Sequence, residues 1–269
     1  MSSWQEKRAA LEAVLDGLGR VAVALSGGVD SMTLAIVAHR FLRSRVEMFH
    51  ATSPAVPPEA TARIRRYAAA EGWRLHVVDA GEFADPAYLR NPVNRCFFCK
   101  SDLYGAIARR TDAQVVTGAN RDDLGEYRPG LEAAQQYGVR HPFIEAEIDK
   151  RTVRAMASGL GFDDLAALPA GPCLSSRIET GIGIQPDLLR RVHAAEQWVA
   201  RELAPKTVRC RIRKQGVTIE LDDETLAELS ASRRLSLRES LAGLFRDQVI
   251  DFAPYRTGSA FLHSPHEPP

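Results

Sequence analysis

The stretch Val21–Ala35, "VAVALSGGVDSMTLA", decides how the rest of the chain is read. Five apolar residues run into Ser26-Gly27-Gly28, and a helix is expected to open at Asp30-Ser31. A short apolar run ended by a glycine turn reads as a buried strand. Glycines let a backbone come close to an anion, and the free N–H groups and dipole of the next helix attract negative charge. The stretch could be a plain strand–turn–helix corner, a dinucleotide crevice or a cradle for pyrophosphate. A Walker A loop would need a lysine before its Ser/Thr, and a dinucleotide fingerprint would need Gly-x-Gly-x-x-Gly; neither stands here. Asp30 repels phosphate unless Mg²⁺ lies between them, or it serves as a helix cap. Ser26 and Ser31 add hydroxyl donors.

Outward from this loop, strands alternate with amphipathic helices. Arg20–Leu25, Val46–His50, Leu75–Val78 and Gln114–Thr117 read as strands. Asp30–Arg43, Pro58–Glu71 and Phe97–Arg109 read as helices. That alternation predicts an α/β fold, a parallel sheet sandwiched by helices. The pattern changes after Leu168 at "LPAGPCLSSRIETGIGI", a Pro/Gly/Ser-rich loop. A helix at Pro186–Glu202, strands at Thr207–Arg213 and Val217–Leu221, two more helical stretches and a short strand at Val249–Phe252 follow. The expected domains are therefore residues 1–168 and a smaller α+β domain at 169–269. The terminal "HSPHEPP" reads as an irregular tail.

The 269 residues are 45% hydrophobic, enough for a sizeable core, and the formal net charge of +1 argues against nucleic acid as the partner. Residues 1–20 mix charges with apolar positions and read as an amphipathic helix rather than a signal peptide. No apolar run is long enough to span a membrane, and the expected location is the cytoplasm. The four cysteines, Cys96, Cys99, Cys173 and Cys210, are too few for a disulfide scaffold. Cys96 and Cys99 form a C-x-x-C, a spacing used for metals, clusters and redox chemistry and also met as packed thiols.

"SGGVDS" at Ser26–Ser31 resembles the PP-loop of the ATP pyrophosphatase superfamily, whose fold is adenine nucleotide alpha hydrolase-like. The resemblance implies that Ser26, Gly27, Gly28, Asp30 and Ser31 bind ATP with Mg²⁺. It also implies that Thr52 faces the adenine and Gly118 borders the nucleotide. Three further stretches, "NRCFFCKSDLY" at 94–104, "TGANRDDLGEYRPG" at 117–130 and "GPCLSSRI" at 171–178, extend the likeness. Together they resemble the ATP-dependent sacrificial sulfur transferases that make the nickel-pincer nucleotide cofactor of lactate racemase. What that implies is adenylation of a carboxylate of pyridinium-3,5-biscarboxylic acid mononucleotide, release of pyrophosphate, and attack by sulfur to leave a thiocarboxylate. The family's sulfur-donating cysteine matches Cys173, which becomes dehydroalanine when its Cβ–S bond breaks. The family also implies a homo-oligomer, a hexamer among known members, and partner enzymes that supply the substrate and insert nickel.

Cys173 can also be read directly. A thiol on a polar loop beside Arg177 would have a stabilised thiolate, as a nucleophile needs. A structural thiol under the loop is the other reading. This chain departs from the simplest family pattern by carrying Cys96 and Cys99 as well. Three thiolates could hold a [4Fe–4S] cluster with one open iron that carries an extra sulfide, or a zinc ion. The sulfur source is thus either Cys173 itself or a cluster on Cys96, Cys99 and Cys173. Cys210, in mid-strand, reads as core.

Asp122 and Asp123, after the fourth strand, could hold Mg²⁺ or cap a helix. Arg209, Arg211 and Arg213 recur at period two, so strand geometry sets them on one face. Guanidinium groups there, with Arg177, suit a substrate phosphate, or else form a solvated surface. Glu196 and Glu220 could partner those arginines or bind metal. His141 and His193 lack ligand spacing and read as structural or surface residues. Two other enzyme classes share the loop. A tRNA thiolase would use the same adenylation on a nucleobase, and an amide-forming ligase would need no placed cysteines. A nucleotide-sensing module is the non-enzymatic reading.

Overall fold

A computed structural model describes residues 3–125, 128–245 and 248–261. The expected tail at 263–269 lies outside them. The chain divides into two compact units: Met1–Asp85 with Cys96–Gly171, and Pro86–Arg95 with Pro172–Pro269.

In the first unit, β1 (Val21–Leu25), β2 (Val46–Ala51), β3 (Leu75–Val78) and β4 (Gln114–Val116) form a wholly parallel sheet in the order β3-β2-β1-β4. Val21 pairs with Val46 on one side and Gln114 on the other, so β1 is central. All five of its residues are buried. Val21, Val23 and Leu25 enter one core; Ala22 and Ala24 enter the other. Burial on both faces is why β1 is a continuous apolar run rather than an alternating one.

Helices α1 (Trp4–Gly17), α2 (Val29–Leu42), α3 (Pro58–Glu71), α4 (Arg95–Ala108), α5 (Pro129–Gln136) and α6 (Lys150–Gly159) accompany this sheet. Ser3 and Glu6 close a reciprocal capping box on α1. Prolines open α3 and α5, and Asp149 caps α6 through the Thr152 N–H at 2.7 Å. Helix α4 begins at Arg95, two residues earlier than its apolar pattern suggests, because the Arg95 N–H closes a turn on the Pro92 carbonyl that runs straight into the helix. The chain leaves β1 towards β2 on one side and returns as β4 on the other. That places the end of β1 at a topological switch point, where open α/β sheets bind ligands.

The second unit holds α7 (Pro186–Leu203), the antiparallel pair β5 (Val208–Arg213) and β6 (Gly216–Leu221), α8 (Ala231–Phe245), and β7 (Ile250–Pro254), which returns parallel to β6. The two-residue turn between β5 and β6 forces a hairpin. The α8 crossover permits the parallel return. Among the described residues no helix is long and apolar enough to cross a membrane.

Candidate functional site

Ser26–Gly28 links buried β1 to α2. Gly27 has φ +80° and faces Ala60 of α3, where a Cβ would sit 3.0 Å from the Ala60 carbonyl oxygen. A side chain there would meet both a backbone penalty and a neighbour. Gly28 is the N-cap of α2 and brings no capping side chain, so the first-turn N–H groups are left to a ligand or to hydroxyls. The Ser31 hydroxyl folds back, accepting from the Ser26 N–H at 3.2 Å and donating to the Gly28 carbonyl at 3.2 Å. The loop is thus tied to itself, and the Gly28 N–H in turn donates to the Ser26 hydroxyl at 3.4 Å.

Asp30 lies in the first turn of α2. Its carboxylate accepts from the Asn120 side-chain amide at 3.2 Å and forms an ion pair with the Lys150 ammonium at the start of α6. Sequence reasoning missed Lys150. A Walker loop carries its lysine in line, whereas here the cation comes from 120 residues downstream. Its one local signal is its place as the first residue after a capping aspartate.

Gly118 follows β4 and packs on the same turn: a Cβ would lie 2.6 Å from the Ser31 nitrogen and 2.8 Å from the Asp30 carbonyl carbon. Thr52, at the end of β2, donates its N–H to the Val78 carbonyl at 2.9 Å and is part-exposed. Two residues not singled out from sequence brace the loop from behind. Arg63 donates to the Gly27 carbonyl at 2.7 Å. His50 bridges the Leu25 carbonyl at 3.0 Å and the Thr61 hydroxyl at 2.9 Å, and burial holds its imidazole below its ordinary pKa. His141 sits 2.7 Å from the Thr117 hydroxyl, and burial lowers its pKa too.

Asp122 and Asp123 bind backbone and ion-pair partners. Asp122 accepts from the Lys150 N–H at 3.1 Å. Asp123 accepts from the Asn120 N–H at 2.9 Å and pairs with Arg128 at 2.7 Å.

Cys96 and Cys99 are half-buried in the opening turns of α4, in the first unit. Cys173 is exposed at the N-cap of a one-turn helix, Leu174–Arg177, in the second unit. Among the described residues no group of three or more His, Cys, Asp or Glu side chains is gathered to hold a metal. Cys210 is buried, and burial with nearby Glu196 pushes its thiol well above the ordinary range, which keeps it protonated.

The arginines of the second unit form a buried ionic layer. Arg177 pairs bidentately with Glu196, at 2.9 and 3.0 Å. Its remaining nitrogen donates to the carbonyls of Pro172 at 2.8 Å and Cys173 at 3.2 Å. Arg211 binds Glu220 at 2.9 Å and the carbonyls of Ser176 and Arg256. Arg213 also holds Glu220, at 2.9 Å, and the Ser259 carbonyl. Glu196 and Glu220 thus partner the arginines. Arg209 lies over the Tyr255 ring, 5.8 Å from its centre, and burial beside Arg177 pushes its guanidinium below its ordinary value. An anion bound there would relieve that crowding of cations.

Residues 8–96 match the asparagine synthase family model. The chain is 38% identical over 215 residues to an uncharacterised protein of Synechocystis, slr1717, covering 78% of this chain and 80% of that one. It is 29% identical to the pyridinium-3,5-bisthiocarboxylic acid mononucleotide synthase of Lactiplantibacillus plantarum, over 96% of this chain and 95% of that one. It is also 27% identical to one chain of the glutamine-hydrolysing GMP synthase of Thermococcus kodakarensis, over 70% and 66% of the two chains.

Proposed function

This chain belongs to the PP-loop ATP pyrophosphatase superfamily, in the family it shares with the Synechocystis protein, and we propose that it is an ATP-dependent sulfur transferase of nickel-pincer nucleotide synthesis. Its proposed substrate is pyridinium-3,5-biscarboxylic acid mononucleotide. The observation that carries the reading is the Ser26–Ser31 loop at the sheet's switch point, with Asp30 and Lys150 set at its helix start.

The open amides of α2 and the Lys150 ammonium bind the β- and γ-phosphates. Asp30 would hold Mg²⁺ brought in with the nucleotide, which supplies charge neutralisation on the departing pyrophosphate. A ring carboxylate of the substrate attacks the α-phosphorus, and pyrophosphate leaves. The Cys173 thiolate then attacks the acyl-adenylate carbon and displaces AMP. Arg209, a desolvated cation beside Arg177 and Arg211, takes the substrate phosphate. Arg177 and Arg211 hold that cationic surface in place through their own carboxylates.

The test is incubation with ATP, Mg²⁺ and the biscarboxylate mononucleotide, following pyrophosphate release and the intact protein mass. Substrate-dependent pyrophosphate release with conversion of Cys173 to dehydroalanine supports the reading. Release driven by ammonia and surviving Cys173→Ala would instead make the protein an amide-forming ligase, and release driven only by tRNA would make it a thiolase. The cluster alternative has its own assay. About four irons per chain in anaerobic protein, lost in Cys96→Ala, would move the sulfur source from Cys173 to a cluster.

A further inference from the structure

Arg177 is 4% exposed. Two of its nitrogens are fixed by Glu196, which is itself pinned by the Cys210 N–H at 2.9 Å. The third nitrogen is thereby aimed at the loop, where it donates to the carbonyl oxygen of Cys173 at 3.2 Å and to that of Pro172 at 2.8 Å. The Ser176 N–H donates to the same Cys173 oxygen at 3.0 Å. The carbonyl of the one exposed cysteine thus receives a cationic donor and an amide donor together.

We propose that this pair of donors, with Arg177 as the principal one, is an oxyanion site for breaking the Cβ–S bond of Cys173; the inference rests on the sulfur-transferase reading above. Once the Cys173 sulfur is acylated by the substrate, its Cα–H bond breaks and the proton passes to water, which the exposed loop admits. The electron pair is held as an enolate whose charge sits on the Cys173 carbonyl oxygen, between Arg177 and the Ser176 N–H. The pair then forms the Cα=Cβ bond. The Cβ–S bond breaks, and the sulfur departs with its electrons as the substrate's thiocarboxylate. No oxidant or reductant is needed. Donors fixed in advance at an oxygen where charge develops lower such a barrier without reorganisation.

The experiment follows two masses in a single turnover, the protein–substrate thioester and the dehydroalanine form. Arg177→Lys keeps a charge opposite Glu196 but loses the forked geometry. Thioester that accumulates in this variant is expected to convert to dehydroalanine about 100-fold more slowly than thioester in the native protein. Protein carrying Cα-deuterated cysteine should show a primary isotope effect on that slowed step, which a folding defect does not produce. Should Arg177→Lys fold poorly, the double variant Arg177→Gln/Glu196→Gln leaves no buried charge unpaired and is expected to show the same slow step. Conversion at the native rate in a folded variant would overturn the role of Arg177 alone. Native protein that releases pyrophosphate but never forms the thioester or dehydroalanine would overturn it together with the own-sulfur chemistry. Native protein that releases no pyrophosphate with this substrate would overturn the underlying function.

Discussion

Lys150 and Asp30, 120 residues apart, meet as an ion pair at the first turn of α2. The pair supplies in three dimensions the cation that the loop lacks in sequence. Asp149 caps α6, so Lys150 projects from a fixed helix end rather than a free loop. Lys150→Ala is expected to slow pyrophosphate release in a single turnover about 100-fold, with Lys150→Arg retaining part of the rate. Single-turnover pyrophosphate assays with protein in excess of substrate check this. An unchanged rate would reduce Lys150 to a structural partner of Asp30.

Gly118 lets β4 approach the start of α2. With a Cβ 2.6 Å from the Ser31 nitrogen, Gly118→Ala must push backbone against backbone. Overpacking of this kind costs about 1–3 kcal/mol. The variant should lose that much in urea unfolding of the first unit and bind ATP more weakly. Native stability in Gly118→Ala would mean that the turn yields easily.

His50 is buried neutral, and burial lowers its pKa from 6.5. The unfolded chain therefore binds a proton that the folded chain refuses, once pH falls below the ordinary histidine value. Stability is full above that value and declines as pH drops through it towards the folded pKa. His141, lowered for the same reason, adds to the slope. Urea midpoints measured from about pH 7.5 to about pH 5 should fall, and His50→Gln should flatten the curve. A native curve without slope in this window would remove the effect.

Asp102 of α4 has the opposite sign. Burial first, then the charges of Asp85 and Glu82, raise its pKa. One of its oxygens and one of Glu82 are buried without a hydrogen-bond partner among the described residues. The folded form holds its proton longer than the unfolded form, so stability falls as pH rises from the unfolded value through the folded one. Asp102→Asn is expected to raise Tm at neutral pH and leave it unchanged in strong acid. A lower Tm at neutral pH would show that the ionised carboxylate is stabilising.

Much of the first unit was legible because its signals are local. An all-apolar pentapeptide, a Gly-Gly turn and a helix start are each written within a few residues, and β1, the loop and α2 follow directly from them. The start of α4 was not, because Arg95 and Cys96 are drawn into the helix by a turn on Pro92 that apolar periodicity does not register. Helices α5 and α6 escaped for a similar reason. They are short: a proline opens α5, whose Ala133 and Ala134 enter the core beside Ala22 and Val115, and Asp149 caps α6, which packs on α1 and α2.

For the arginines, period two was correct, and the sequence offered Glu196 and Glu220 as partners or metal ligands without deciding between the two. Alternation sets Arg209, Arg211 and Arg213 on one face of β5. It cannot say that Glu196 from α7 and Glu220 from β6 would meet Arg177, Arg211 and Arg213 there. A buried guanidinium must find a carboxylate, and which one it finds depends on how hairpin and helix pack.

The sequence by itself determined that this chain builds a parallel α/β unit with an anion-binding loop, since strand, glycine turn and helix are short-range choices of the backbone. Only the tertiary structure decided that Lys150 faces Asp30, that Arg63 and His50 brace the loop, and that Arg177 points at the carbonyl of Cys173. Each of those contacts depends on where a side chain is carried by packing, and elementary backbone preferences hold no information about that direction.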